Sequence, residues 1–209
     1  MHLDTFLVAR RRFLQLMAAA PFGVAVGELA SAGSIAAIAG DGEPGQPLVV
    51  RGVIFAPDGR TPARGVRMSV YHTDTEGYYS RPVSNPRSAR LRGTLLTGDD
   101  GRYELRTILP GHYPGTTVER HIHVHLTPPD LPQHWVPSFL FEGDPNLSGR
   151  DAAASRAAGA FRHVMPTPRD SRGVLMAARD FRIDPDIAQR NRLVDGWYLE
   201  DDDHHSLVL

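Results

Sequence analysis

Histidine alternates with aliphatic residues in one short segment of this chain. His121, His123 and His125 are separated by Ile122 and Val124. A β-strand places residues two apart on the same face, at a backbone separation of roughly 7 Å. The three imidazoles would therefore share one face, and two of them could converge on one metal ion. The segment predicts a metal site, although a strand with histidines on a polar, solvent-facing side gives the same pattern.

The lack of cysteine limits which residues could complete such a site. The 209 residues include no cysteine, which excludes disulfides, thiolate nucleophiles and cysteine-ligated zinc. A metal would have to use histidine, tyrosine, aspartate or glutamate. Tyr79 and Tyr113 lie in segments that the sequence predicts as loops, where a side chain could turn toward the histidines. Neither tyrosine stands out as a ligand on this ground alone.

The remaining composition indicates a turn-rich β domain. Glycine and proline number 20 and 17, which is high for a helical protein and typical of short strands joined by turns. The formal net charge is −1, and all 23 basic residues are arginines spread along the chain. This balance predicts no nucleic-acid binding. The length fits one domain that can bury a sizeable core.

The N-terminal segment resembles a twin-arginine export signal. Residues 10–14 read Arg-Arg-Arg-Phe-Leu and precede a moderately apolar run over 14–26. Small residues that suit signal cleavage follow at 30–32 and 37–39. We expect residues 1–39 to be signal peptide and linker, and the twin-arginine machinery to export the protein to the periplasm or the medium. That machinery carries folded proteins, which suits a protein that takes up its metal before export.

Segments of alternating polarity, separated by turns rich in proline and glycine, predict the architecture. A helix pattern occurs in the alanine-rich residues 151–160, with Asp151 as the expected N-cap. We expect an all-β, antiparallel β-sandwich with long loops and one short helix over residues 40–183, then a tail over 184–209 whose acidic run at 201–205 is solvated. The expected strands are residues 48–55, 66–71, 91–97, 103–108, 121–126, 138–141 and 173–183, the first pairing with the second and the third with the fourth as hairpins.

The apolar positions of these strands predict the core. A strand that buries one face carries its apolar residues at alternate positions, so each strand contributes two or three side chains to the interior. These side chains would lie between the two sheets of the sandwich. The expected core residues are Val50, Val53, Phe55, Val66, Met68, Val70, Leu95, Tyr103, Leu105, Ile122, Val124 and Phe139.

Several motifs, taken in order, resemble the intradiol ring-cleavage dioxygenases. Residues 97–114 read Thr-x-x-x-Gly-x-Tyr-x-x-x-Thr-x-x-Pro-Gly-x-Tyr-Pro, and a Gly-x-Tyr motif ends at Tyr79, eight residues after an aromatic strand end. His-Ile-His follows at 121–123 and Phe-Glu-Gly-Asp-Pro at 141–145. Together the resemblance covers residues 52–145. The family contains non-haem iron(III) enzymes such as protocatechuate 3,4-dioxygenase and catechol 1,2-dioxygenase.

That resemblance implies a site for Fe(3+) held by Tyr79, Tyr113, His121 and His123. Tyr79 would be the axial tyrosinate that the substrate displaces and that then serves as a base, and Tyr113 the equatorial one. Phenolates stabilise iron in the ferric state, and two neutral imidazoles leave room for substrate. The implied substrate is an aromatic 1,2-diol. Dioxygen would cleave it between the two hydroxyl-bearing carbons to a muconate-type diacid, with both oxygen atoms incorporated.

The chain departs from the family pattern at two positions near the implied site. The family places an arginine three residues before its first ligand histidine, where Val118 stands here, and Arg120 is the nearby substitute for a catalytic role. Ser138 stands where the family has an active-site glutamine. The substrate preference can therefore differ from that of the best-known members. The implied partners are the diol, dioxygen and the export machinery, and a homo-oligomer is compatible with the sequence.

Two other functions fit part of the same pattern. The Asp-Gly and Pro-Gly motifs also resemble prealbumin-like structural or binding sandwiches, which carry no metal. In the second alternative, His121, His123 and His125 bind zinc or copper. A structural module has no reason to bring Tyr79 and Tyr113 to the histidines, so the placement of these tyrosines separates the first alternative from the enzyme. Metal analysis and visible colour separate the second.

Overall fold

The computed structural model describes residues 30–31, 34–82 and 84–186. These residues form twelve strands, one α-helix and two turns of 3-10 helix, at Pro86–Ser88 and Gly159–Phe161. The helix, α1, spans Gly149–Ala157. In this part of the chain no helix has the length and the apolar character needed to cross a bilayer. The strands are β1 (Ala30–Ser31), β2 (Ile35–Ala37), β3 (Pro47–Phe55), β4 (Arg67–His72), β5 (Leu91–Leu96), β6 (Arg102–Ile108), β7 (His121–Thr127), β8 (His134–Trp135), β9 (Phe139–Phe141), β10 (Val164–Met165), β11 (Leu175–Ala178) and β12 (Phe181–Arg182).

Two sheets form the β-sandwich that the sequence predicts. In the larger sheet the strands follow the order β1-β5-β4-β7-β9-β10, and β8 pairs with β7. In the smaller sheet the order is β11-β3-β6-β2, and β12 pairs with β3. The long central pairs β3–β6, β4–β5 and β4–β7 are antiparallel, as expected. The short strands β1, β2, β10, β11 and β12 instead join their neighbours in parallel.

The core lies between the sheets and takes one face of β7. Ile122, Val124 and Leu126 are fully buried in the same cluster as Val50 and Leu105 of the smaller sheet. Burying an aliphatic side chain of this size contributes about 1.5–3 kcal/mol. Because the strand alternates, this burial fixes the opposite face of β7 as the face that carries the histidines, which are half-buried.

Two of the predicted core residues are wrong. Val53 and Phe55 are only partly buried, whereas Gly52 and Ile54 point inward. The inward-pointing positions begin at the buried Val50 and continue through residues 52 and 54. Gly52 concealed this register in the sequence because it has no apolar side chain. A Cβ at residue 52 would lie 1.6 Å from the carbonyl oxygen of Arg179, so the interior at this point admits only glycine.

Both predicted hairpins are also wrong. Strand β3 pairs with β6 and strand β4 pairs with β5, so the chain crosses from one sheet to the other after β3 and again after β5. Turn residues indicate where the chain reverses, but they do not say which strand becomes the neighbour. Consecutive strands here bury their apolar faces against each other across the core instead of pairing side by side.

The helix and the last strand differ from their predicted bounds. Helix α1 is capped by Ser148, whose hydroxyl accepts a hydrogen bond from the backbone N–H of Asp151 at 3.0 Å. Asp151 is therefore not the N-cap but lies in the first turn, where its carboxylate accepts a hydrogen bond from the Ser148 hydroxyl. The predicted strand 173–183 is interrupted after Ala178, because the carboxylate of Asp180 accepts the backbone N–H of Val53.

The sandwich begins before the predicted start at residue 40. Strand β2 runs parallel to β6, and Ala36 and Ile38 belong to the buried core. The predicted export motif at 10–14 and the predicted solvated run at 201–205 lie outside the described residues.

Candidate metal centre

Four side chains from three separate segments meet at one point beside β7. The Tyr79 hydroxyl lies 2.8 Å from His123 Nε2, and the Tyr113 hydroxyl lies 2.8 Å from His121 Nε2. The two Nε2 atoms are 3.0 Å apart, and the two hydroxyls hydrogen-bond each other. Two phenol oxygens and two imidazole nitrogens therefore converge on a common centre.

Strand β7 aims both imidazoles at this centre. His121 and His123 are two residues apart on the half-buried face of the strand, and their rings are nearly perpendicular, at 86° with centroids 4.5 Å apart. His121 Nδ1 lies 2.8 Å from the carbonyl oxygen of Glu119. A carbonyl can only accept, so Nδ1 carries the proton and donates it, which leaves the Nε2 lone pair facing the centre.

Tyr71 holds the second histidine ring by stacking. Strand β4 pairs with β7 so that Tyr71 lies opposite His123. The two rings are 4.4 Å apart and inclined by only 17°. The ring of Tyr71 also lies 5.8 Å from that of Tyr79, so it contacts two of the four converging side chains. Such packing restricts the ring plane of His123 and thus the direction of its Nε2.

The loop that carries Tyr79 presses directly against the loop that carries Tyr113. Gly77 has a φ of +90°, and a Cβ there would lie 1.8 Å from the carbonyl oxygen of His112. The backbone N–H of Gly111 donates to the carbonyl oxygen of Asp74 at 2.9 Å, which fastens the two loops together. The missing side chain at Gly77 is what allows the two tyrosines to come within contact.

Asp144 joins the Tyr113 loop to the start of β7. Its carboxylate accepts hydrogen bonds from His112 Nε2 at 2.9 Å, from the Asn146 backbone N–H at 2.8 Å and from the Arg120 backbone N–H at 2.8 Å. Burial alone would raise the pKa of this carboxyl, but these hydrogen bonds outweigh it and hold the pKa of Asp144 below its ordinary value. The group is therefore an ionised anchor between the two segments.

A comparison with protein families identifies the family of this chain. A family model described as Dioxygenase matches residues 22–186, which is most of the chain. The chain belongs to the intradiol ring-cleavage dioxygenase family.

The chain covers different fractions of the proteins that it resembles. Catechol 1,2-dioxygenase 1 of Acinetobacter lwoffii is 33% identical over 127 residues, which cover 53% of this chain and 40% of that protein. The chain thus spans less than half the length of this curated relative. The dioxygenase domain of a dioxygenase carbohydrate-binding protein fusion from Streptomyces sp. SirexAA-E is 28% identical, with a TM-score of 0.55 over 78% of this chain and 97% of that domain. Catechol 1,2-dioxygenase from Pseudomonas arvilla C-1 shares the fold, at 19% identity and a TM-score of 0.58 over 89% of this chain and 70% of that one.

His125 does not join this group of four side chains. Its Nδ1 lies 3.1 Å from the Gln133 amide nitrogen, and its ring contacts that of Trp135 at a centroid distance of 3.6 Å. Within the described residues, no three side chains drawn from histidine, aspartate and glutamate are grouped so that they could hold a metal. The geometry therefore gives no support to a zinc or copper site made of His121, His123 and His125.

The structure does not bring Arg120 into the group of four. Its Nε is buried and has no hydrogen-bond partner in the part of the chain that is described. Ser138 is half-buried, and its carbonyl oxygen accepts from the guanidinium of Arg179. The catalytic role of Arg120 stays a prediction.

The sequence did not reveal the residues that orient the four converging side chains. Tyr71 was predicted only as a strand residue, and Asp144 only as part of a turn motif. The alternation that predicts β4 could have indicated that Tyr71 lies on the same side of the sheet as the histidines. The contacts of Asp144 join segments 24 and 32 residues apart, and no local pattern reveals them.

Proposed function

We propose that this protein binds Fe(3+) through Tyr79, Tyr113, His121 and His123. The observation that carries the proposal is the convergence of two phenol oxygens and two imidazole Nε2 atoms on one centre. Anionic oxygen donors with neutral nitrogen donors and no sulfur suit iron in its ferric state. The donor set thus fits the ion that the family resemblance implies.

The proposed reaction is intradiol cleavage of an aromatic 1,2-diol by dioxygen. Ferric iron, when bound, supplies the Lewis acid for the two diol oxygens and the electronic activation that lets the ring react with dioxygen. The bond between the two hydroxyl-bearing carbons breaks, and both atoms of dioxygen enter a muconate-type diacid. Catechol-type substrates are favoured because the relative from Acinetobacter lwoffii is a catechol 1,2-dioxygenase.

Tyr79 is proposed to accept a proton from the diol. Its oxygen lies beside the Tyr113 oxygen and His123 Nε2, so a diol held at this point would be within reach of it for proton transfer. Tyr113, His121 and His123 would remain to hold the ion. Arg120 directly precedes His121 and is proposed to stabilise the negative charge that the diol gains when it loses its protons.

Aromatic side chains next to the centre suit an aromatic substrate. Tyr71 stacks on His123, and the Trp135 ring lies 6.3 Å from that of His123 at an angle of 83°. Both side chains are only partly buried. A diol ring bound at the centre would lie beside these rings.

Export by the twin-arginine machinery to the periplasm or the medium is proposed from residues 10–14. Of the two candidate cleavage regions, 30–32 leaves strand β2 in place, whereas 37–39 would remove it. We therefore favour cleavage in the earlier region. The smaller sheet would then keep its edge strand β2, while β1 lies in the cleavage region itself.

The deciding experiment is aerobic purification of the exported protein, followed by elemental analysis and visible spectroscopy with and without catechol. We expect iron bound in proportion to protein, a tyrosinate-to-iron absorption band that changes when catechol is added, and dioxygen uptake with formation of a diacid. A colourless protein containing zinc or copper would contradict the proposal in favour of another metal site. A protein without metal that leaves catechol intact would favour a structural module.

A further inference from the structure

One peptide group connects a buried carboxylate to a ligand histidine. The carbonyl oxygen of Glu119 accepts the Nδ1 proton of His121 at 2.8 Å. The N–H of Arg120 belongs to the same peptide group and donates to Asp144 Oδ2 at 2.8 Å. The carboxylate, the peptide and the imidazole therefore form a continuous hydrogen-bonded chain that ends at His121 Nε2, the atom that faces the centre.

The same carboxylate also fixes the loop of a ligand tyrosine. Asp144 Oδ1 accepts from His112 Nε2 at 2.9 Å, and His112 immediately precedes Tyr113. The side chain of Asp144 is only 2% exposed, so water does not weaken these bonds. A residue that served only its own turn would need no more than the 2.8 Å bond from the Asn146 backbone N–H.

We propose that Asp144 is a positioning residue of the metal centre, which acts on His121 through the 119–120 peptide and on Tyr113 through His112; this rests on the proposed function. A negative charge at the N–H end of a peptide polarises that group and makes its carbonyl a stronger acceptor. A stronger acceptor at Nδ1 increases electron donation from Nε2, as a carboxylate does in direct carboxylate–histidine–metal arrangements. Here the peptide transmits the effect.

The first test compares Asp144→Asn with Glu142→Gln. Asparagine keeps the size of the side chain but removes its charge, while Glu142 is an exposed carboxylate of the same turn. We expect Asp144→Asn to retain iron roughly 10–100-fold less tightly, the usual cost of losing an outer partner of a ligand, and to shift the tyrosinate-to-iron band. Glu142→Gln should match the wild type in both. Wild-type iron affinity and an unmoved band in Asp144→Asn would overturn the proposal.

The second test uses the metal-free wild-type protein and depends neither on iron nor on the folding of a variant. Nitrogen-15 NMR of the histidines should show His121 protonated at Nδ1, and the Arg120 amide proton should be shifted downfield and exchange slowly. A proton on Nε2 of His121 would refute the hydrogen-bonded chain. If the wild type binds no iron but these NMR features are present, the proposed function fails while the chain of contacts stands.

Discussion

The four converging side chains are fixed by different kinds of contact. His121 is oriented by a hydrogen bond to a backbone carbonyl, and His123 by stacking on Tyr71. Tyr79 and Tyr113 depend instead on two loops pressed against each other. Removing any one of the four should therefore affect the centre without unfolding the core, because none of their rings belongs to the main buried cluster between the sheets.

The ligand roles can be tested by changing one phenol and one imidazole. Tyr113→Phe removes only a hydroxyl and should bleach or shift the visible absorption band while the ring stays packed. Loss of a residue that only supports a ligand lowers metal affinity roughly 10–100-fold. His121→Ala removes a proposed ligand itself, so its iron affinity should fall by at least that factor. Absorption spectra and elemental analysis measure both effects. His163→Ala, outside the centre, serves as a control, and an unchanged spectrum in both ligand variants would contradict the assignment.

A buried histidine should make the fold sensitive to mild acid. His72 donates from Nδ1 to the carbonyl oxygen of Thr73 and accepts the hydroxyl of Thr107 at Nε2, both at 2.6 Å. Burial lowers its pKa from 6.5 to about 4. Above pH 6.5 His72 is neutral in both the folded and the unfolded state, so it does not change the free energy of unfolding. Between pH 6.5 and 4 only the unfolded state takes up the proton, and the folded state should lose up to about 3 kcal/mol.

Denaturant unfolding at a series of pH values measures this effect. Burial lowers the pKa of His134 and His163 as well, so the wild type should lose stability in the same direction from more than one group. His72→Gln cannot titrate and should show a smaller loss between pH 6.5 and 4, even if its stability at neutral pH is lower. An equal pH dependence in variant and wild type would show that His72 does not set it.

At the scale of elements, close approach between the two tyrosine loops depends on Gly77. Alanine there would combine the strain of a positive φ with a Cβ 1.8 Å from the His112 carbonyl oxygen. Gly173 has a similar φ of +82° but no atom within 4 Å of the added Cβ. Gly173→Ala should cost about 1 kcal/mol from backbone strain alone. Gly77→Ala should lower the stability of the fold by more than this and should also lower the iron content. Thermal unfolding measures the first effect and elemental analysis the second. Equal effects in the two variants would rule out the close approach.

How much the sequence could predict differs between elements. The strict alternation of β7 predicted the strand, its buried face and its histidine face, because burial of one face leaves a period of two. The same rule failed for Val53 and Phe55, since Gly52 hid the register. The partners of β3 and β4 could not be predicted, because pairing depends on where the whole chain crosses the core.

The site shows the same division between local and distant information. The grouping of Tyr79 and Tyr113 with the histidines was expected only through the family resemblance, as neither loop has a pattern that points to β7. The carboxylate of Asp144 and the ring of Tyr71 act on ligands through contacts distant in sequence. Such contacts become visible only when the strands are paired and the loops are placed.

For the whole molecule, iron should stabilise the fold as well as serve the reaction. The proposed ligands come from two loops and a strand, so an unfolded chain does not present them together. A ligand that binds only the folded state at about 1,000 times its dissociation constant adds about 4 kcal/mol. Thermal unfolding of the iron-loaded protein and of the chelated protein should differ by roughly 10 °C for a domain of this size. His121→Ala is the control, because its unfolding should not respond to the chelator, and coincident curves for the wild type would contradict iron-linked stability.

The proposed export is also a property of the whole chain. Changing Arg10, Arg11 and Arg12 together to lysine should leave the protein in the cytoplasm, because the twin-arginine machinery reads the arginine pair as its address. Cell fractionation measures the distribution. Arg150→Lys, on the surface of helix α1, keeps the same chemistry elsewhere and should not change it. Undiminished export of the triple variant would contradict the proposed route.

Strands β1 and β2 each close an open border of a sheet, β1 beside β5 and β2 beside β6. A border strand without a neighbour offers a row of N–H and C=O groups to any other extended chain. Signal cleavage at 30–32 would already remove β1, whereas proteolysis through residue 37 would also uncover β6. The trimmed molecules would then pair edge to edge through β6, so strand β2 protects the mature protein against intermolecular aggregation.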